Sequence, residues 1–131
     1  VSGVKYPRDG FHNGRETGLG GCDLDATNQN VSDSDFNIPI WNTPQNWDEI
    51  RKTGKADLTL SGHVHAMQMK LHFGKKVWSP ARWMYPRWSG LYSEDNQYLY
   101  INDGMGYVMY PMRIGTYPEI TLITLRAARQ S

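Results

Sequence analysis

Apolar and polar positions alternate along several short stretches of this chain, and the alternation has the two-residue period of strands more often than the 3.6-residue period of helices. The runs Asp57-Leu58-Thr59-Leu60, Gln97-Tyr98-Leu99-Tyr100-Ile101-Asn102 and Glu119-Ile120-Thr121-Leu122-Ile123-Thr124-Leu125 each read as a strand, the last being β-branched and the clearest. Met67 to Phe73 also alternates and predicts a half-buried strand, with His72 on its polar face beside Lys70 and Gln68. Val1 to Val4 reads as the end of a strand, and Phe36 to Trp41 as an edge or distorted strand because Pro39 interrupts it. Helical signals are fewer. Thr43 can cap a helix with Pro44 at its first position, running through Trp47, Ile50 and Arg51 to a stop at Gly54. Asp23 to Asn30 predicts a second short helix, and Ser32 to Asp35 a polar connector. Glycine-rich Pro7 to Gly21, which carries His12, predicts a loop. Trp78 to Leu91 reads as irregular, and Asp103 to Tyr107 as a loop after a strand. The order predicts an α/β chain with a mixed sheet, antiparallel-rich towards its end.

Composition narrows this only a little. A chain of 131 residues, 39% hydrophobic and 21% charged, fits one soluble globular domain, spanning residues 1–131. Net charge is +1 with scattered Lys and Arg, so nucleic acid is not expected as a partner. No apolar run is long enough for a membrane-spanning helix. The single cysteine, Cys22, excludes an internal disulfide. Five Trp and eight Tyr, concentrated between Trp78 and Tyr117, suit a cleft wall, a lipid-facing surface or a loop packed on itself.

The candidate chemistry sits at the end of the Asp57–Leu60 strand, in Ser61-Gly62-His63-Val64-His65. On an extended backbone, His63 and His65 point to one side and can aim both imidazoles at one point. Gly62 is expected to turn the chain there with a positive φ. Two imidazoles past a strand's carboxyl end suit a divalent metal.

Asp57-Leu58-Thr59-Leu60-Ser61-Gly62-His63-Val64-His65-Ala66-Met67-Gln68 resembles the metal turn of calcineurin-like metallophosphoesterases. Trp78-Ser79-Pro80, Trp88-Ser89-Gly90-Leu91-Tyr92, Tyr98 to Asn102 and Pro111 to Thr121, with its Pro118-Glu119-Ile120, support the resemblance, which reaches from about Val1 to Arg126. The subgroup it is most similar to is bacterial and often membrane-associated. The resemblance implies the C-terminal half of a four-layer αββα sandwich with a long aromatic loop. It implies a parent that hydrolyses phosphomonoesters or phosphodiesters with a metal-activated water, using two divalent metals of the Mn, Fe or Zn type. His63 would ligate the second metal and His65 the first. Arg113, Gly104 and Gly106 are candidates for substrate contact, with Arg82 and Arg87 as further phosphate contacts.

The departures matter as much. The Asp-x-His, Gly-Asp-x-x-Asp and Gly-Asn-His motifs that supply most of the family's ligands do not occur in this chain. Asn42 falls where the family carries another ligand histidine, and an amide is the poorer donor. The chain also begins at Val1 without Met. The expectation is therefore a soluble C-terminal part that is inactive alone and binds one metal weakly or none. Its partners would be the missing N-terminal half, a small phosphoester or phospholipid-like substrate in the parent, and other copies of itself. The alternative is a non-catalytic module that binds a partner or a lipid surface.

Overall fold

The computed structural model describes residues 36–107 and 111–126, together with Ser32 and the strand Ser2–Gly3. The Pro7–Gly21 loop with His12, Cys22, the Asp23–Asn30 helix and most of the Ser32–Asp35 connector lie outside the described residues. The architecture is α/β with a mixed five-stranded sheet and a separate two-stranded hairpin.

The sheet strands are β1 (Ser2–Gly3), β2 (Pro39–Ile40), β3 (Leu58–Ser61), β6 (Gly90–Glu94) and β7 (Gln97–Ile101), and β4 (Leu71–Phe73) with β5 (Lys76–Trp78) makes the hairpin. The five-stranded sheet runs in the order β1-β2-β3-β7-β6. β3 is central and parallel to both β2 and β7, with Leu58 opposite Tyr98 and Ser61 opposite Ile101. β6 closes the sheet antiparallel to β7. Its turn, Asp95-Asn96, has φ of 50° and 61°, the pair of positive values that a tight hairpin of right-twisted strands requires.

Helix α1 (Trp47–Lys52) follows a 3-10 turn at Pro44–Asn46. Thr43 is the extended residue before Pro44, although its side chain makes no capping bond. Thr53 ends the helix, and Gly54, at φ 67°, reverses the chain. The apolar face of α1 carries Trp47 and Ile50, and Trp47 packs with Leu99 and Ile101 of β7 in the innermost cluster, flanked by Tyr92. The guanidinium groups of Arg87 and Arg51 lie over the Trp47 ring, at 4.7 and 5.4 Å from its centroid. Arg87 also forms a forked pair with Asp48 at 3.0 and 3.1 Å and reaches Glu94 at 2.9 Å. These bonds tie the aromatic segment to α1 and β6.

Several elements differ from the sequence reading. Pro39 lies in an interior strand rather than at an edge, since β2 sits between β1 and β3. The strand is two residues long, so the missing N–H removes at most one ladder bond. Met67 to Phe73 is not one half-buried strand. Met67 and Gln68 belong to a 3-10 turn, and Leu71–Phe73 pairs only with β5 and is exposed throughout. Trp78 to Leu91 contains a short helix, α2 (Ala81–Met84), and the start of β6. Glu119 to Leu125, the strongest strand pattern in the sequence, forms no strand. Alternation qualifies a segment for a sheet, but a ladder needs repeated backbone bonds to a neighbour. This segment meets the end of β7 through the Glu119 and Thr121 side chains and a bond from the Glu119 N–H to the Gly104 carbonyl, and no ladder forms among the described residues. Ile120 and Leu122 are left 85% and 91% exposed.

Candidate metal centre

The parallel arrangement of β2 and β3 brings their carboxyl ends together, and the candidate ligands lie just beyond them. Asn42 follows β2, and His63 follows β3. Two bonds to the Asn42 carbonyl fix this junction, one from the His63 N–H at 3.1 Å and one from the Ser61 hydroxyl at 2.8 Å. The Asn42 amide nitrogen stands 3.5 Å from His63 Nδ1 on the exposed side of the turn.

The backbone of the turn differs from the extended Gly-His-x-His reading. Gly62 is not among the glycines with positive φ. The left-handed conformations fall instead on His65, Ala66, Met67 and Gln68, with φ of 48°, 48°, 47° and 56°. Val64 is in the right-handed helical region. A helical residue followed by a left-handed run, rather than the pleat of a strand, therefore sets the relative directions of the two imidazoles.

Four non-glycine residues in succession at positive φ are costly, and specific bonds hold them. The Ser79 hydroxyl donates to the Ala66 carbonyl at 2.7 Å. The Gln68 amide donates to the Met112 carbonyl at 2.6 Å, while the Ile114 N–H donates to the Gln68 carbonyl at 2.8 Å. Ala66 and Gln68 are buried.

Against the turn lies the loop after β7. Gly104 has φ +73°, and a Cβ there would sit 2.5 Å from His65 Cε1 and 2.6 Å from Nδ1. The imidazole thus occupies the space a side chain would take. His65 Nδ1 is buried without a hydrogen-bond partner. Burial, then the Arg113 guanidinium and His63, hold the His65 pKa below its ordinary value, against a smaller pull from Asp103. These influences favour the neutral ring, the form that ligates a metal.

Arg113, Gly104 and Gly106 come together in this loop. The Arg113 guanidinium donates to the carbonyls of Gly106, Asp103 (2.7 Å) and Thr116 (3.2 Å). Asp103 is nearly fully buried and ion-paired with Lys70, whose ammonium also bonds Ser89 at 2.7 Å and lies 5.7 Å from the Trp88 ring centre. Glu119 accepts from the Tyr100 hydroxyl, the Thr121 hydroxyl and the Asp103 N–H. Burial raises the Glu119 pKa less than these bonds lower it, so its carboxyl is held below the ordinary value. Glu119 therefore fastens the 117–121 segment to β7. Arg87, between α2 and β6, packs against α1 and is bound to Asp48 and Glu94, and Arg82 is an exposed residue of α2.

The roles of Lys70, Asp103 and Ser79 were not visible in the sequence. Nothing in local pattern links positions 70 and 103, or 66 and 79, before the chain folds.

Over 112 residues, 83% of its length, the chain is 34% identical to the uncharacterized metallophosphoesterase YkuE of Bacillus subtilis. The chain belongs to the metallophosphoesterase family. A second relative, a transmembrane protein with metallophosphoesterase domain from Bos taurus, is 38% identical over 73 residues, 55% of this chain. The chain spans 37% of the length of the bacterial relative and 15% of the bovine one. No family model matches it, and no solved structure matches it. Membership implies divalent metals in the whole protein. Among the described residues no three His, Cys, Asp or Glu side chains come together to hold a metal, and no helix is long and apolar enough to cross a membrane.

Proposed function

We propose that this metallophosphoesterase chain supplies the histidine-bearing part of a dimetal centre that hydrolyses phosphomonoesters or phosphodiesters, and that alone it does not catalyse the reaction. The observation that supports this reading is that Asn42 and His63 stand 3.5 Å apart just past the ends of two parallel strands, with the part-buried His65 two residues further on and its pKa held low by burial, by Arg113 and by His63.

The donors fit part of such a centre. Two imidazoles are suitable, and His65 Nδ1 is buried with its hydrogen-bonding capacity unused. No carboxylate completes the set among the described residues. In this reading His63 would hold one cation and His65 the other, with the Asn42 amide a weak donor beside His63. Two divalent cations, when bound, offset phosphoester charge and acidify the attacking water. The contribution of the chain itself is to hold the imidazoles in place and to favour the neutral form of His65. The Gly104–Gly106 loop, shaped by Arg113, would form the wall that meets the phosphoester.

The bridging carboxylate and other ligands belong, in this proposal, to an N-terminal half that completes an αββα sandwich, in a parent associated with a membrane. The exposed Ile120 and Leu122 would pack there, or against another copy of this chain in isolation. Light scattering tests the last point, and a clean monomer at high concentration contradicts it.

A Mn²⁺ titration with a bis-p-nitrophenyl phosphate assay tests the main claim. The expected result is weak metal binding, lost in His63→Ala and His65→Ala, without turnover. Robust turnover by the chain alone overturns its assigned inactivity. Metal binding indifferent to both histidines overturns the site. The amide at Asn42 favours a second reading, a phosphoesterase relative that binds a partner without catalysis. Complete upstream metal motifs in the reading frame would exclude it.

A further inference from the structure

The β4–β5 hairpin has a face that is open over Leu71 and Phe73 and half-buried at Trp78. Its register places Phe73 opposite Lys76 and Leu71 opposite Trp78, so these four side chains share one face. His72 and Val77 make the other face, which is exposed as well, and there His72 Nε2 lies 3.2 Å from the Gly115 carbonyl. The face borders α2, whose Trp83 meets Trp78 edge-on at 5.3 Å between ring centres. Phe73 is 65% exposed and Trp83 76%. A two-stranded hairpin needs cover on one face to be stable.

The stretch of chain that carries this face has charge of one sign. Although the chain's net charge is only +1, no Asp or Glu occurs between Asp57 and Glu94, a stretch with five Lys and Arg. Lys70 and Arg87 are ion-paired with Asp103, Asp48 and Glu94. Lys75, Lys76 and Arg82 have no ion pair among the described residues, and all three are exposed beside the apolar face.

We propose that this hairpin face, bordered by Trp83, docks on the surface of an anionic phospholipid bilayer. Phe73 and Trp83 would enter the boundary between headgroups and acyl chains, while Lys75, Lys76 and Arg82 pair with lipid phosphates. Aliphatic Leu71 on this face favours hydrocarbon over nucleic acid, whose bases offer stacking surfaces to aromatic side chains. The inference does not depend on metal binding or turnover.

Sedimentation of the chain with phosphatidylcholine vesicles, with and without phosphatidylglycerol, tests it. Binding should be at least about tenfold tighter to the anionic vesicles and fall with salt. Lys75→Glu with Lys76→Glu should weaken it by about tenfold or more, and Phe73→Ser should weaken it as well. These side chains are exposed, so both variants should keep the wild-type urea unfolding curve. Brominated lipid should quench tryptophan emission in the wild type and much less in Trp83→Phe. Leu122→Ser, on the other exposed apolar segment, should bind like wild type. No binding, equal binding to neutral vesicles, loss of binding in Leu122→Ser alone, or displacement by a single-stranded oligonucleotide at lower concentration than anionic lipid each overturns the proposal.

Discussion

Gly104→Ala probes the contact between the loop after β7 and the candidate metal turn. An alanine would have to hold φ +73°, which costs about 1–2 kcal/mol for an L-residue. Its methyl would also lie 2.5 and 2.6 Å from two atoms of the His65 ring, about 1 Å inside an ordinary carbon contact. Two outcomes are possible. If the ring stays, overpacking adds about 1–3 kcal/mol, for a total of about 2–5 kcal/mol. If the ring swings away, stability falls only by the backbone cost, but the imidazole is lost to a metal whose bond lengths tolerate about 0.2 Å. Urea unfolding and a Co²⁺ titration followed by its visible absorption, on the same samples, separate the two. A variant with unchanged midpoint and unchanged Co²⁺ affinity would show that the loop does not set the ring, and the close approach would carry no functional meaning.

Three further outcomes are expected. Lys70→Met should cost about 3–5 kcal/mol in urea unfolding, because it leaves the buried Asp103 carboxylate unpaired, and adding Asp103→Asn should recover much of that loss. Glu119 is held below its ordinary pKa of 4.5, so the folded state binds fewer protons there than the unfolded one. Its contribution is complete above that value and lost as the pH falls through the lower folded value; Tyr100→Phe should flatten this acid limb of the stability curve. Asn42→His should strengthen Mn²⁺ or Zn²⁺ binding by about tenfold or more in calorimetry, since an imidazole replaces an amide beside His63.

The parts of the fold legible in the sequence were those fixed by neighbours along the chain. Pro44 and Gly54 bracket the 3-10 turn and α1 because starts and stops act within a turn, although the Thr43 cap does not form. β7 carries a pattern that matches its half-buried place, whereas central β3 buries Thr59 as well as Leu58. Asp95-Asn96 is a tight turn without the glycine that would have announced it, so β6 went unread. Glu119 to Leu125 failed in the opposite way: its pattern is a strand's, but pairing is a property of two segments. The candidate ligands at 63 and 65 were legible as chemistry and not as geometry. Sequence alone places them on an extended backbone, whereas bonds from Ser79, Met112 and Ile114 hold the chain in a left-handed turn.

That turn also has a consequence for the order of folding. Four L-residues at positive φ cost about 1–2 kcal/mol each, so the segment His65–Gln68 cannot nucleate by itself. The bonds that offset the cost come from residues 13 and 44 positions further along the chain, through the Ser79 hydroxyl and the Met112 carbonyl. His65 therefore reaches its place late, after the helix α2 region and the 112–114 segment have docked. Any metal this histidine holds would bind the finished molecule and slow its unfolding, and would not template its collapse.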